Sequence, residues 1–248
     1  QIAQEIDRIL DLAVFIFQKF GFSDYRARIS VRDPKTLDTY MGVPKNWDKA
    51  EAALVDAVKK HNIPYFVGEG EAAFYGPKID IMVKDALGRE WQLTTCQLDF
   101  VQPENFDMNY VNDEGKLERP AVLHVAILGS YDRFLAVLIE HYAGAFPLWL
   151  APVQISLIPI AERHNEAAQT MAQKLRRRFR VEINDKNESM QAKIREATLQ
   201  KVPYMGIIGD KEVSTEAVSV RTRKGEDLKS MTLDEFLNRL QNELETNA

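Results

Sequence analysis

The stretch HVAILGSYDRF, residues 124–134, sets a histidine, a Gly-Ser turn and an arginine close together. Imidazole is the commonest metal-ligating side chain, and a guanidinium is a fixed planar donor suited to phosphate. Gly129 and Ser130 come just before a helical pattern, where backbone can approach an anion closely. Blander readings stand beside these. His124, between Leu123 and Val125, can be a satisfied core histidine, and Arg133 can pair with Asp132 or Glu140 on a helix surface.

Two further stretches carry polar groups of chemical interest. FYGPK (74–78) offers the Tyr75 hydroxyl and the Lys78 ammonium, or only a turn with an exposed lysine. QLTTCQLDF (92–100) offers Gln92, Thr95 and Gln97 on one strand. Strict alternation puts Thr95 and Gln97 on one face and Gln92 on the other.

The elements that must hold these groups are readable from periodicity. Ile2, Ile6, Ile9, Leu10, Ala13, Phe17 and Phe20 recur at helical spacing, and Gly21 stops the run. RARISVR (26–32) alternates as a strand, and 46–63 is an amphipathic helix with Trp47, Ala50, Leu54 and Val58 on one side. Residues 78–98 read as a hairpin turning at DALG, 111–120 as a polar turn, AVLHVAI as a strand and 130–144 as a helix. Strands joined by short turns predict a largely antiparallel sheet flanked by helices.

GAFPLWLAP (144–152), with two prolines, marks a boundary between domains 1–150 and 151–248. Beyond it, strand and helix alternate: VQISLIPI, 163–179, FRVEIN, 189–201, YMGIIG, AVSVRTRKG and a last helix over 232–245. Thr232 and Glu235 have the spacing of a capping box at its start. This order predicts a small α/β domain with a partly parallel sheet.

Composition bounds the function classes. The 248 residues are 45% hydrophobic and 28% charged, which is a globular composition. No apolar run reaches the length of a membrane span, and no signal peptide is evident, so no membrane role is expected. Cys96 is the only cysteine, which excludes an intramolecular disulfide and fits a reducing, cytoplasmic setting. The net charge of −5 is uneven: residues 1–150 hold 16 basic and 22 acidic side chains, whereas 163–229 hold 15 and 10. A basic segment on an acidic chain can steer nucleic acid, although many such runs are only solvated faces.

Taken in order, GEGEAAFYGPKIDI (68–81), QLTTCQLDF, HVAILGSYDRF, FPLWLAPVQ (146–154), KIREATLQKVPYMGIIGDKEV (193–213) and VSVRTRKG (218–225) resemble the class II threonyl-tRNA synthetases. The resemblance covers essentially the whole chain. It implies a class II antiparallel sheet with flanking helices, an α/β (α+β) fold, followed by a mixed-sheet anticodon-binding domain. It also implies that the chain starts just after motif 2, so motif 1, motif 2 and any editing domain would lie upstream.

The implied activity is ATP-dependent activation of threonine, with Mg2+, and transfer to the 3′ end of tRNA(Thr). This chain alone is expected to be inactive. Arg133 matches the motif 3 arginine and, with Lys78, is the expected catalytic pair. Gln92, Thr95, Gln97, Gly129 and Ser130 join Arg133 around ATP and the adenylate. Tyr75, Lys78 and Gln97 are expected at threonine. His124 matches one of three Zn2+ ligands, the other two lying upstream. Such a site can engage the threonine hydroxyl and reject valine. Because the family uses both glutamines at one site, a bulge or strong twist is expected between Gln92 and Gln97. In the second domain Glu212 and Arg221 match anticodon-reading positions, with Asn187, Arg195 and Lys211 in support. LRRRFR (175–180) is expected to meet phosphates or solvent.

Three positions depart from the family. Thr94 stands where glycine is usual, and is expected to narrow the adenylate pocket. Val125 stands where arginine is usual, and Cys96 replaces an aliphatic residue, as a buried small side chain. These departures leave a second reading open, a non-catalytic RNA-binding paralogue. The family also implies a homodimer built partly through motif 1.

Overall fold

A computed structural model describes residues 1–246. Two compact units divide between His141 and Tyr142. The divide falls ahead of segment 144–152, the boundary expected from its prolines, because that segment is bonded into the second unit. Gln154 Nε2 donates to Leu148 O at 2.8 Å, Arg180 donates to the carbonyls of Trp149 and Ala151, and Leu148 lies in the second unit's core.

The first unit runs α1 (Ile2–Lys19), β1 (Tyr25–Val31), α2 (Pro44–Lys60), β2 (Tyr65–Glu69), β3 (Lys78–Lys84) and β4 (Glu90–Asp99). It continues through α3 (Val101–Asn105), the small hairpin β5 (Tyr110–Val111) and β6 (Leu117–Glu118), then β7 (Val122–Ala126) and α4 (Tyr131–Tyr142). Its main sheet has the order β2-β1-β3-β4-β7, with only the β1–β2 pair parallel. Periodicity decides which face is dry. Ile79, Ile81, Cys96 and Leu98 alternate onto one face and are buried there, as are Ile6, Leu10, Ala13 and Phe17 on one side of α1. The helix α1 packs on α2 and β4, and α2 packs on β1 and β3. Each fully buried Ile, Leu or Phe stabilises by about 1.5–3 kcal/mol. The opposite face of β1, β3, β4 and β7 is polar.

β4 carries the expected bulge. Thr94 pairs with Ile81 and Gln92 with Met82, leaving Leu93 as the extra residue. Leu93 and Thr94 are both buried, and the alternation restarts so that Gln92 returns to the side of Thr95.

The second unit runs β8 (Ile155–Pro159), α5 (Asn165–Leu175), β9 (Val181–Ile183), α6 (Met190–Leu199), β10 (Tyr204–Ile208), α7 (Asp210–Ser214), β11 (Ala217–Thr222), β12 (Asp227–Thr232) and α8 (Leu233–Thr246). Its sheet order is β12-β11-β10-β8-β9, with β8, β9 and β10 mutually parallel and the β11–β12 end antiparallel. Side chains of α5 and α8 share one core cluster, and those of α6 the other, so helices cover both faces. The capping box at α8 is formed: Glu235 N donates to Thr232 Oγ1 at 3.2 Å, and Thr232 N to Glu235 Oε2 at 2.8 Å.

Candidate functional site

Antiparallel pairing sets the site's geometry before any side chain is considered. Ser30 on β1 lies opposite Lys78 on β3, Lys78 opposite Gln97 on β4, and Gln97 opposite His124 on β7. The next row along the same face is Arg28, Asp80, Thr95 and Ala126. Strands sit about 4.8 Å apart, so each row of four spans roughly 14 Å. Residues far apart in the chain thus become neighbours across one sheet.

The side chains within these rows are tied together. Asp80 is fully buried. Its Oδ2 meets Lys78 Nζ at 2.7 Å and Arg28 Nη2 at 2.9 Å, and its Oδ1 accepts from Gln92 Nε2 at 2.7 Å and Thr95 Oγ1 at 2.8 Å. The Tyr75 hydroxyl donates to Gln97 Oε1 at 3.0 Å, and the Tyr75 ring sits edge-on to the His124 ring with centroids 6.1 Å apart. Gly76 explains how Tyr75 is held: a Cβ there would lie 1.6 Å from Leu98 O, so only glycine lets FYGPK lie against β4.

At the far end of β4, Arg133 extends from the first turn of α4 and its Nη1 donates to Gln92 O at 2.9 Å. It pairs with neither Asp132 nor Glu140; Glu140 instead meets Arg89 at 3.1 Å. Gly129 has φ +67°, and a Cβ there would lie 2.9 Å from Leu93 O, so the corner before α4 fits against the bulge. Ser130 Oγ accepts from Arg133 N at 3.4 Å, at the start of α4.

His124 is half exposed at the edge strand, and its Nε2 lies 2.8 Å from Asp99 Oδ2. Asp99 is itself buried, with Oδ1 accepting from Val101 N and Gln102 N. A histidine oriented by a carboxylate at one ring nitrogen, with Nδ1 remaining, fits a single ligand of a shared metal site. Among the described residues, no group of three His, Cys, Asp or Glu side chains could hold a metal.

Thr94 does not narrow the polar face. Its neighbours in alternation are Ile81 and Cys96, and its hydroxyl donates to Ile127 O at 2.5 Å on the buried side. Val125 lies opposite Cys96, so it too is on the face away from His124. Burial pushes the Cys96 thiol up to about 12, which makes it inert. A concavity of about 880 Å3, lined by α1, α2, Leu98, Phe100 and residues 119–123, contains none of these polar residues. Two convergent rows of side chains mark this site better than enclosed volume does.

In the second unit, the carboxyl ends of parallel strands gather loops at one sheet edge, where ligands bind in open α/β sheets. Asn187 follows β9, and Lys211 and Glu212 open α7 after β10. Arg163 and His164, following β8, both bond Asp210, at 2.7 and 2.9 Å, and hold its carboxyl well below the usual range. Glu212 Oε2 accepts from Gly209 N at 3.2 Å. Arg195 is exposed on α6, whereas Arg221 lies farther from the edge, opposite Met205. Buried Lys193 donates to Pro159 O at 2.9 Å and lines a polar hollow with Asn165, Asp185 and Asn187. LRRRFR is largely structural: Arg176 bonds Val181 O, Arg178 bonds Gln241 and Arg180 holds the 149–154 segment.

Three residues of the polar face escape sequence reasoning: Asp80, Arg28 and Asp99. Asp80 sits between Ile79 and Ile81 and reads as a solvent-facing charge until the ladder sets it beside Arg28 and Thr95.

Residues 1–142 match the family described as tRNA synthetase class II core domain (G, H, P, S and T), and residues 154–243 match the family described as anticodon binding domain. A threonine–tRNA ligase of Deinococcus radiodurans is 49% identical over 92% of the chain and 35% of its own length. One from Caldanaerobacter subterraneus is 46% identical over all of the chain and 38% of its own length. A crystal structure titled as the RNA binding domain of threonyl-tRNA synthetase from Cryptosporidium parvum superposes with TM-score 0.89 at 36% identity, over 98% of this chain and 60% of that one. The chain therefore spans little more than a third of the curated relatives it matches.

Proposed function

The chain belongs to the class II tRNA synthetase family of the G, H, P, S and T group, and we propose that it forms part of a threonine–tRNA ligase. The reaction would join threonine to ATP as threonyl-adenylate, release pyrophosphate, and pass the amino acid to the 3′ end of tRNA(Thr). The observation that carries this reading is the pair of cross-strand rows, with Tyr75, Lys78, Gln92, Thr95, Gln97 and His124 on one sheet face.

Each residue then has a physical task. Arg133, fixed by the Gln92 carbonyl, offers its free guanidinium edge to the phosphates of ATP, which would enter as the Mg2+ complex. Charge grows on the leaving pyrophosphate as the threonine carboxylate attacks, and a pre-positioned cation stabilises that state more than the ground state. Lys78 offsets charge on the carboxylate and α-phosphate. Gln92 and Thr95 orient the adenylate, and Gly129 and Ser130 line the nucleotide end. Tyr75 and Gln97 form a bonded pair facing the amino group of threonine. Arg133 meets β4 at Gln92 and His124 meets it at Gln97, roughly 13 Å apart at strand spacing with the bulge between them, so they mark opposite ends of one substrate.

His124 would supply one ligand of a Zn2+ ion completed by residues outside this chain. When bound, that ion would engage the amino and hydroxyl groups of threonine and so exclude valine. Asn187, Lys211 and Glu212 would read anticodon bases at the strand ends of the second unit, with Arg195 and Arg221 flanking. No described helix is long and apolar enough to cross a membrane; a cytoplasmic homodimer is the setting this reading expects.

The test is ATP–pyrophosphate exchange by the intact protein with threonine, serine, valine and proline. Exchange dependent on threonine is expected. Exchange with another of these and not threonine overturns the reading, and tRNA(Thr) binding with no exchange would make the protein a non-catalytic RNA-binding relative.

A further inference from the structure

We propose that Asp80 is the positioning residue of this site: one buried carboxylate fixes the working geometry of Lys78, Gln92 and Thr95, with Arg28 as its second cation. The inference rests on the synthetase reading for its activity arm only.

Asp80 has no exposed surface, yet it bonds four donors from three other strand positions and its own strand neighbour. An ionised carboxylate has about four lone-pair sites, and here all four are used. The division is ordered. Oδ2 takes the two cations, Lys78 and Arg28, and Oδ1 takes the two neutral donors, Gln92 and Thr95. Gln92 Nε2 is also 2.8 Å from Thr95 Oγ1, and Arg28 Nη2 is 3.4 Å from Gln92 Oε1, so the five side chains form one closed network.

The charge balance matters as much as the geometry. Within the five-residue network one buried anion holds two cations, on the face where a phosphate or carboxylate would lie. Glu71 is the other acidic side chain near Arg28, at 3.8 Å, and it is largely exposed. Arg28 Nε is buried with no hydrogen-bond partner among the described residues, which leaves this guanidinium short of one acceptor. Lysine and glutamine are long side chains whose ordering opposes binding. A carboxylate that orders them in advance removes that cost from substrate binding and from the chemical step.

Asparagine at this position cannot substitute. Its carbonyl can serve one pair of donors, but its amide N–H groups then face the other pair, and the compensation of Lys78 and Arg28 is lost.

The experiment is a double-variant cycle in the intact protein. Asp80→Asn is expected to lower kcat for threonine-dependent exchange by about 100-fold. Adding Lys78→Met to Asp80→Asn should cost no more than roughly a further threefold, because the lysine is already misplaced. Losses that multiply overturn the proposal, as does exchange within roughly threefold of wild type for Asp80→Asn. Arg28→Gln provides the second variant should Asp80→Asn fail to fold. It leaves the Gln92 and Thr95 bonds to Asp80 Oδ1 in place and should lower kcat/KM by about 10-fold at a temperature where the variant remains folded; unchanged kcat/KM overturns the role. The inference also has a readout free of the functional reading. In a crystal structure of the Asp80→Asn chain, Lys78 and Gln92 should leave their places. If both stay put, the proposal is wrong, whatever the wild-type protein activates.

Discussion

Asp99 and His124 meet across the β4–β7 pair, Asp99 Oδ2 lying 2.8 Å from the Nε2 of the ring while Asp99 Oδ1 accepts from the N–H groups that open α3. One buried side chain therefore joins a chain turn to the orientation of an imidazole. Asp99→Ala frees the ring and strips two backbone donors of their acceptor. In the intact protein, zinc affinity measured by chelator competition should fall about 10- to 100-fold. Unaltered affinity would remove Asp99 from that role.

Arg133→Lys separates charge from shape. A lysine keeps the positive charge but cannot hold the Gln92 carbonyl and face a phosphate with one planar group. Exchange by the intact protein should drop by about 100-fold, mostly in kcat. Full activity in the lysine variant would show that charge alone suffices there.

Gly76→Ala should damage the site through the backbone. The new Cβ would fall 1.6 Å from Leu98 O, so FYGPK must lift from β4 and carry Tyr75 away from Gln97. A loss of about 1–3 kcal/mol or more is expected. Gly88→Ala, at φ +79° with nothing within 4 Å, should cost only about 1 kcal/mol. Equal melting temperatures for the two variants would contradict the close-approach argument.

The β3–β4 turn should show an acid limb. Burial alone would raise the Asp85 carboxyl, but donors from Trp91, Arg89 and Leu87 outweigh it and depress the value well below the usual range. A depressed carboxyl contributes stability above its unfolded pKa, near 4, and loses it as pH falls toward the folded value. Urea midpoints of wild type and Asp85→Asn should therefore differ most at neutral pH and converge in acid. A gap that is constant with pH would refute the charged hub.

Cys96 should resist iodoacetamide in the folded protein at pH 8 and react once urea is added. Its thiol is buried and pushed up to about 12, so little thiolate exists. Rapid native labelling would mean that β4 opens locally.

Much of this architecture is legible in the residues because burial and period coincide. α1, α2, β1, β3 and β4 each carry a buried face at the spacing their conformation requires. β2 is harder to see, since YFVGE forms a short parallel edge and buries little. DLKSMT, which forms β12, is mostly polar and exposed on the sheet's outer edge, and α7 spans only Asp210–Ser214. The bulge is legible only through the resemblance, which sets Gln92 and Gln97 at one site although their parity is opposite. The Asp80 network is not, because its partners come from β1, β3 and β4, and register is a property of the folded sheet. For Thr94, resemblance locates the position beside a pocket, but regular alternation with Cys96 and Leu98 sets its side chain on the buried face.

The hold on Arg133 has a further implication. Its partner is a main-chain oxygen, beyond the last β4–β7 pair at Thr95 and Ala126. Every amino acid supplies that oxygen, so a substitution at position 92 can change the side chain on the polar face without releasing the arginine. Variation of the side chain at position 92 and the hold on the Arg133 guanidinium are thereby uncoupled. A lineage can explore new side chains on the bulge while the cation beside it stays aimed.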